Sequence, residues 1–240
     1  MTGSSRGIGR TIAGTLNSEG CKVCINGRNR DDLIKVAKTL PGSVIAQGDV
    51  RDPHEAQNIV KEVIASFGRI DILVCNVGDG SSVKPGEESH EEWGRVFAIN
   101  LWSATNMVEA AGSALTESKG SIVCISSICG LEVVPSVPLT YSAAKAALNT
   151  YVRGIARPLG SKGIRINAIA LGNILFEGSI WSQKLADDTD TIKQMLKRDV
   201  ALKQFGTPKN VAELVAYLVS ARSSFATGGI WTLDGGQVHS

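Results

Sequence analysis

The sequence predicts an α/β fold built on a doubly wound parallel sheet, a single domain of 240 residues. Three observations predict it. Short runs rich in valine and isoleucine alternate with longer stretches of helical periodicity, and no repeat, low-complexity tract or linker divides the chain. The short runs are almost continuously apolar, as strands covered by helices on both faces must be. A glycine-rich opening, Thr2-Gly3-Ser4-Ser5-Arg6-Gly7-Ile8-Gly9, leads straight into the first helical stretch.

The first helix is expected at 7–19, where Ile8, Ile12 and Leu16 form one apolar stripe. Strands at 21–27 and 43–49 flank a helix at 30–40. Pro53 after Asp52 starts a helix over 53–67, because the first helical position has no use for a backbone N–H. A strand at 70–76 precedes a long helix at 90–116, and a strand at 121–127 precedes another at 139–160. The strand at 164–170 is followed by an excursion, then by a helix at 208–220 opened by Pro208 and a last strand at 229–233. This alternation implies right-handed crossovers and places ligands beyond the carboxyl ends of the strands, the Rossmann-type arrangement. The excursion at 172–201 shows helical pattern over 182–200 and no clear strand, and its position near that edge marks it as a substrate lid.

Bulk properties remove several classes of function. A net charge of +2 creates no strong field for nucleic acid or an anionic membrane. No apolar run reaches the ~20 residues that span a bilayer, and the opening lacks a basic-then-apolar leader. The five cysteines, Cys21, Cys24, Cys75, Cys124 and Cys129, lie mostly in apolar runs. Cys21 and Cys24 have no second pair and no clustered histidines, so a metal centre is not expected, and reduced thiols point to the cytoplasm.

Four groups of residues carry chemistry. The glycines of the opening can bring backbone N–H groups against a pyrophosphate, and the helix N-terminus favours its charge. Tyr141 and Lys145, four apart in a helical segment, share a face and can enter one pocket. A free phenol with a pKa of ~10 is a poor base at neutral pH, and a neighbouring cation lowers that value. Ser126 and Ser127 end an apolar strand, where a hydroxyl can donate to an oxygen gathering negative charge. Asn100 is an amide among apolar residues inside a helical stretch, where it needs partners and can disturb the helix.

The order and intervals of these motifs resemble the short-chain dehydrogenase/reductase family, classical type. The glycine motif is followed by Asp49-Val50, Asn76-Val77-Gly78, Asn100, Ser127, Tyr141-x-x-x-Lys145 and Asp234-Gly235-Gly236, covering nearly the whole chain. The resemblance implies hydride transfer between a nicotinamide dinucleotide and a carbonyl or alcohol, with 3-oxoacyl thioesters among the candidate substrates. By that similarity Tyr141 is the acid/base and Ser127 holds the substrate oxygen. Lys145 lowers the tyrosine pKa and binds the nicotinamide ribose, while Asn100 supports a water path from it. The cofactor residues implied are Gly3, Ser5, Arg6, Gly7, Ile8, Gly9, Arg28, Asp49, Val50, Asn76, Gly78, Tyr141, Lys145, Gly172 and Ile174. Arg28 stands where an NAD enzyme of the family carries an acid, and with Arg6 it favours NADP(H) over NAD(H). Family members assemble as dimers or tetramers through the helices bearing Asn100 and Tyr141.

Three departures from the family pattern are visible. The strand that precedes the glycine motif, central in the family's sheet, is absent from the sequence. The interval from Ser127 to Tyr141 is one residue longer, and Phe176 replaces a threonine that meets the carboxamide. A damaged front would make the chain a non-catalytic nucleotide-binding or assembly module, the alternative reading.

Overall fold

The computed structural model describes residues 1–135 and 137–238. Helix α1 (Gly7–Ser18) follows the glycine loop and leads to β1 (Cys24–Gly27), α2 (Arg30–Ala37) and β2 (Val44–Gln47). Then come α3 (Pro53–Phe67), β3 (Ile72–Cys75), α4 (His90–Phe97), α5 (Ser103–Ser118) and β4 (Ser121–Ser127). The second half holds α6 (Leu139–Gly160), β5 (Arg165–Leu171), α7 (Ile180–Asp187), α8 (Thr189–Asp199), α9 (Pro208–Val219) and β6 (Ile230–Leu233).

Helix starts follow local chemistry. The Asp52 carboxylate accepts from His54 and Glu55 N–H ahead of Pro53, and Asn29, Ser89 and Thr207 cap α2, α4 and α9 in the same way. Each side chain satisfies N–H groups that the first turn leaves without a partner. The helix expected over 90–116 is interrupted: α4 and α5 are joined by a π-helical turn, Ala98–Trp102, with Asn100 at its centre. Strand positions alternate between two apolar layers. Ile122, Cys124, Ile166 and Ala168 face α3, α5 and α6. Val123, Ile125, Ile169 and Leu171 face α1, α2 and α9. Helices therefore cover both faces, as the continuous apolarity of the strands predicts.

The pairing is parallel throughout but falls into two sheets, β1-β2 and β3-β4-β5-β6. The parting lies between β1 and β3, where residues 1–4 run. Residues 1–4 bridge it through a few backbone hydrogen bonds. The Met1 ammonium donates to Cys24 O at 3.1 Å, Asn26 N–H to Met1 O at 3.2 Å, and Thr2 N–H to Val74 O at 3.0 Å. Burial pushes the Met1 ammonium below its ordinary pKa. These few bonds set the glycine loop between β1 and β3.

Candidate active site

The site is assembled at the carboxyl ends of β3, β4 and β5, beside the glycine loop. Gly3 and Gly7 adopt positive φ values of 58° and 54°, which L side chains avoid. Gly9 is pressed onto Gly3 O, and a Cβ there would lie 2.6 Å from Asn76 Nδ2. Asn76, at the end of β3, holds the loop itself: its Nδ2 donates to Gly3 O at 3.0 Å, and its N–H to Thr2 Oγ1 at 3.0 Å. Ser5 and Ile8 are half-buried and Arg6 is exposed as the N-cap of α1, which receives no side-chain capping bond. The first N–H groups of α1 are thus left for another acceptor. On the β1 side, Ser4 Oγ accepts from Asn26 N–H at 2.8 Å, and buried Asn26 ties β1 to Ala46 O at 2.9 Å. Sequence reasoning passed over Ser4 and Asn26, although an asparagine inside an apolar run was the available signal.

Beyond the ends of β1 and β2 lies a recess of about 500 Å³ lined by Arg28, Arg30, Gln47, Gly48, Asp49, Glu55 and Glu62. Arg28 is exposed there. The Asp49 carboxylate is held by Arg51, whose Nε donates at 2.9 Å, and this bond keeps Asp49 below the usual carboxylate range. Val50 is buried, and its carbonyl accepts from Asn106 Nδ2 at 3.2 Å. Arg51 and Asn106 carried no sequence signal.

Two of the catalytic candidates, Lys145 and Asn100, meet at Gly78. A Cβ at that glycine would sit 3.1 Å from Lys145 Nζ and 3.2 Å from Asn100 Oδ1. Asn100 explains the π-helical turn. Its Nδ2 donates to Val96 O at 3.0 Å, the carbonyl that an α-helical N–H at position 100 would use, and to Asp79 O at 2.9 Å; its Oδ1 accepts from Asp79 N–H at 3.1 Å. The amide therefore splices the loop after β3 onto the helix.

Ser127 ends β4, is buried, and accepts from Cys129 N–H at 3.2 Å. Neighbouring Ser126 turns away, donating to Asn149 Oδ1 at 2.7 Å, while Asn149 Nδ2 donates to Gly130 O at 3.1 Å. Gly130 lies flat on α6, where a Cβ would meet Lys145 C at 2.6 Å. The turn after Ser127 is thereby fastened to the helix that carries Tyr141 and Lys145. Of the two serines, Ser127 is the one that shares a hydrogen bond with the Tyr141 phenol.

The electrostatics reverse one expectation. Burial pushes Tyr141 up to about 12; a hydrogen bond with Ser127 pulls it back, and Cys129 and Asp79 add to the rise. Lys145 does not lower it here, for two reasons. Its Nζ lies 5.8 Å from the ring centroid and donates to Ile125 O at 3.0 Å. Burial also pushes the ammonium itself down to about 8. The phenol and ammonium do share a helix face, as the four-residue spacing requires.

Gly172, at the end of β5, packs against Asp234, whose Cα would be 2.7 Å from a Cβ there. Asp234 then caps the N–H groups of Gly236, Gln237 and Val238. The Ile174 side chain is buried against Gly206. Phe176 lies over Gly7. Residues 180–199 form α7 and α8, with Trp181 tilted against Phe205 at 5.5 Å.

This architecture defines a Rossmann-type α/β enzyme with a serine–tyrosine–lysine group beside a dinucleotide cradle. A family model described as enoyl-(acyl carrier protein) reductase matches residues 3–238. The 3-oxoacyl-[acyl-carrier-protein] reductase of Staphylococcus epidermidis is 32% identical over 242 residues, covering 98% of this chain and 96% of that protein. Glucose 1-dehydrogenase 2 of Bacillus subtilis is 30% identical over 244 residues, covering 98% and 92%. Among solved structures, L-sorbose reductase from Gluconobacter frateurii, complexed with NADPH and L-sorbose, superposes with a TM-score of 0.93 at 27% identity, covering 100% of this chain and 95% of that one. The chain belongs to the short-chain dehydrogenase/reductase family. It is an oxidoreductase acting on carbonyl and alcohol groups. Among the described residues no helix is long and apolar enough to cross a membrane.

Proposed function

We propose that the chain is an NADP(H)-dependent reductase that converts a ketone, a 3-oxoacyl thioester or a similar carbonyl substrate, to the alcohol. The observation carrying this reading is that Lys145 and Asn100 meet at Gly78 while Tyr141, hydrogen-bonded to Ser127, borders Gly80, next to a loop whose glycines have no room for side chains. The relatives support the substrate class, one being named a 3-oxoacyl-[acyl-carrier-protein] reductase and another solved with NADPH and a ketose.

The residues fit a dinucleotide. Gly3, Ser5, Arg6, Gly7, Ile8 and Gly9 would hold the pyrophosphate at the open N-terminus of α1, with Asn76 keeping the loop in shape. Asp49 and Val50 would flank the adenine. Arg28 would meet the 2′-phosphate in its recess, which supports NADP(H) over NAD(H). Gly78, Gly172 and the backbone of Ile174 would border the nicotinamide, and Lys145 would reach its ribose. When bound, the nicotinamide supplies or accepts the hydride.

The protein's part is to hold the oxygen and move a proton. Ser127 would donate to the substrate oxygen and steady the charge that develops on it. With its pKa near 12, Tyr141 carries its proton at neutral pH and is an acid towards an alkoxide, a stronger base than a phenolate. The helices of 172–201 would close over the substrate as a lid. Assembly of identical copies through the helices bearing Asn100 and Tyr141 is supported by Trp102 and Leu139, both large and exposed. Cytoplasmic residence accords with the free cysteines.

The test is loss of NADPH absorbance over a panel of 3-oxoacyl thioesters, ketoses and simple ketones. Tyr141→Phe is expected to abolish turnover while NADPH still binds. A Phe variant that keeps the wild-type rate removes the acid role. A non-catalytic nucleotide-binding module is the reading supported instead if NADPH binds and no carbonyl in the panel is reduced.

A further inference from the structure

Phe176 lies against the glycine cradle at its narrowest point. A Cβ on Gly7 would be 2.5 Å from Phe176 Cε2 and 2.8 Å from its Cζ, so the ring edge rests directly on the glycine. Gly7 opens α1, whose first N–H groups receive no side-chain cap. An aromatic edge offers those N–H groups no oxygen acceptor, and it fills the volume that a phosphate bound to them needs. The backbone around Phe176 is fixed on both sides. Ile174 bridges to Gly206, Phe176 N–H donates to Ser179 Oγ at 3.3 Å, and Ser179 N–H to Phe176 O at 3.0 Å. The ring itself is only half-buried, so it can leave without unfolding its segment.

We propose that Phe176 is a gate on the dinucleotide cradle, resting on Gly7 when the cradle is free and moving away before a dinucleotide binds, so that it sets cofactor affinity. This extends the NADP(H) reading and depends on it. A gate that is shut nine-tenths of the time weakens apparent affinity about tenfold, because only the open fraction binds. The same ring makes association wait on its opening.

The experiment is titration of the full chain with NADPH, followed by nicotinamide fluorescence, for wild type, Phe176→Ala and Phe176→Thr, with stopped-flow association. Both variants are expected to bind about tenfold more tightly. The wild-type association rate constant should be about tenfold lower than that of the variants, because only the open fraction binds. Equal or weaker binding by variants with unchanged circular dichroism overturns the gate and leaves the cofactor reading intact. A wild-type association rate constant equal to those of the variants also overturns it. If none of the three proteins binds NADPH, the cofactor reading and the gate both fall.

Discussion

Replacing Asn100 with alanine tests the splice between the loop after β3 and the helix of the site. Three hydrogen bonds are lost at once: Asn100 Nδ2 to Val96 O, Nδ2 to Asp79 O, and Asp79 N–H to Oδ1. Asn100 is 1% exposed, so water does not simply replace the amide. An orphaned buried group costs about 1–3 kcal/mol. The Val96 carbonyl can recover a partner if the π-helical turn relaxes to α-helix, and the exposed Asp79 can reach solvent. Three hydrogen bonds at about 1 kcal/mol net each, partly recovered in this way, leave a net loss of about 2–3 kcal/mol. For a chain of this length each kcal/mol moves Tm by about 2–4 °C, so Asn100→Ala should melt about 4–12 °C lower. The loop that carries Gly78 loses its tether, and turnover should fall more than thermal stability alone explains. Differential scanning calorimetry and initial rates below the melting range measure both effects. A Tm within about 1 °C of wild type would show that the amide is not what holds the turn.

Other outcomes follow from the site. For Lys145→Met the informative quantity is how the stability difference from wild type changes with pH. Wild-type Lys145 titrates near 8 folded and 10.5 unfolded, so between those values the unfolded chain binds more protons and wild-type stability rises with pH. Denaturant melts should therefore show the gap moving by about 3 kcal/mol in favour of wild type between pH 7 and 10.5, and a constant gap would contradict a buried ammonium. Arg28→Ala should weaken NADPH by about 10–100-fold, the worth of one charge-assisted contact, and leave NADH almost unchanged. Equal losses for the two dinucleotides would remove Arg28 from the 2′-phosphate.

The strand at 121–127 and the helices at 53–67 and 139–160 were readable to the residue, because apolar runs, a capping carboxylate and a helix-starting proline act over a few neighbours. Less was legible at 90–116. Asn100 marked a disturbance there, but its form depended on Asp79, distant in the chain, reaching back to the amide. In the site, the spacing of Tyr141 and Lys145 gave their shared helix face. It did not give the direction of the pKa shifts, since burial and the turn of Lys145 Nζ towards Ile125 O come from packing. Phe176 shows the same limit: in the sequence it marked only the replacement of a threonine, and the path of the chain after β5 is what sets it on Gly7.

By itself the sequence determined the class of fold, the family and the inventory of reactive groups, because these follow from periodicity, spacing and residue chemistry that act locally along the chain. The tertiary structure alone decided which groups meet. Ser126 fastened to Asn149, Asn76 holding the glycine loop and the parting between β1 and β3 all join residues far apart in the chain. Such contacts arise when distant segments are packed together, and burial there changes both the partners of a polar group and its proton affinity.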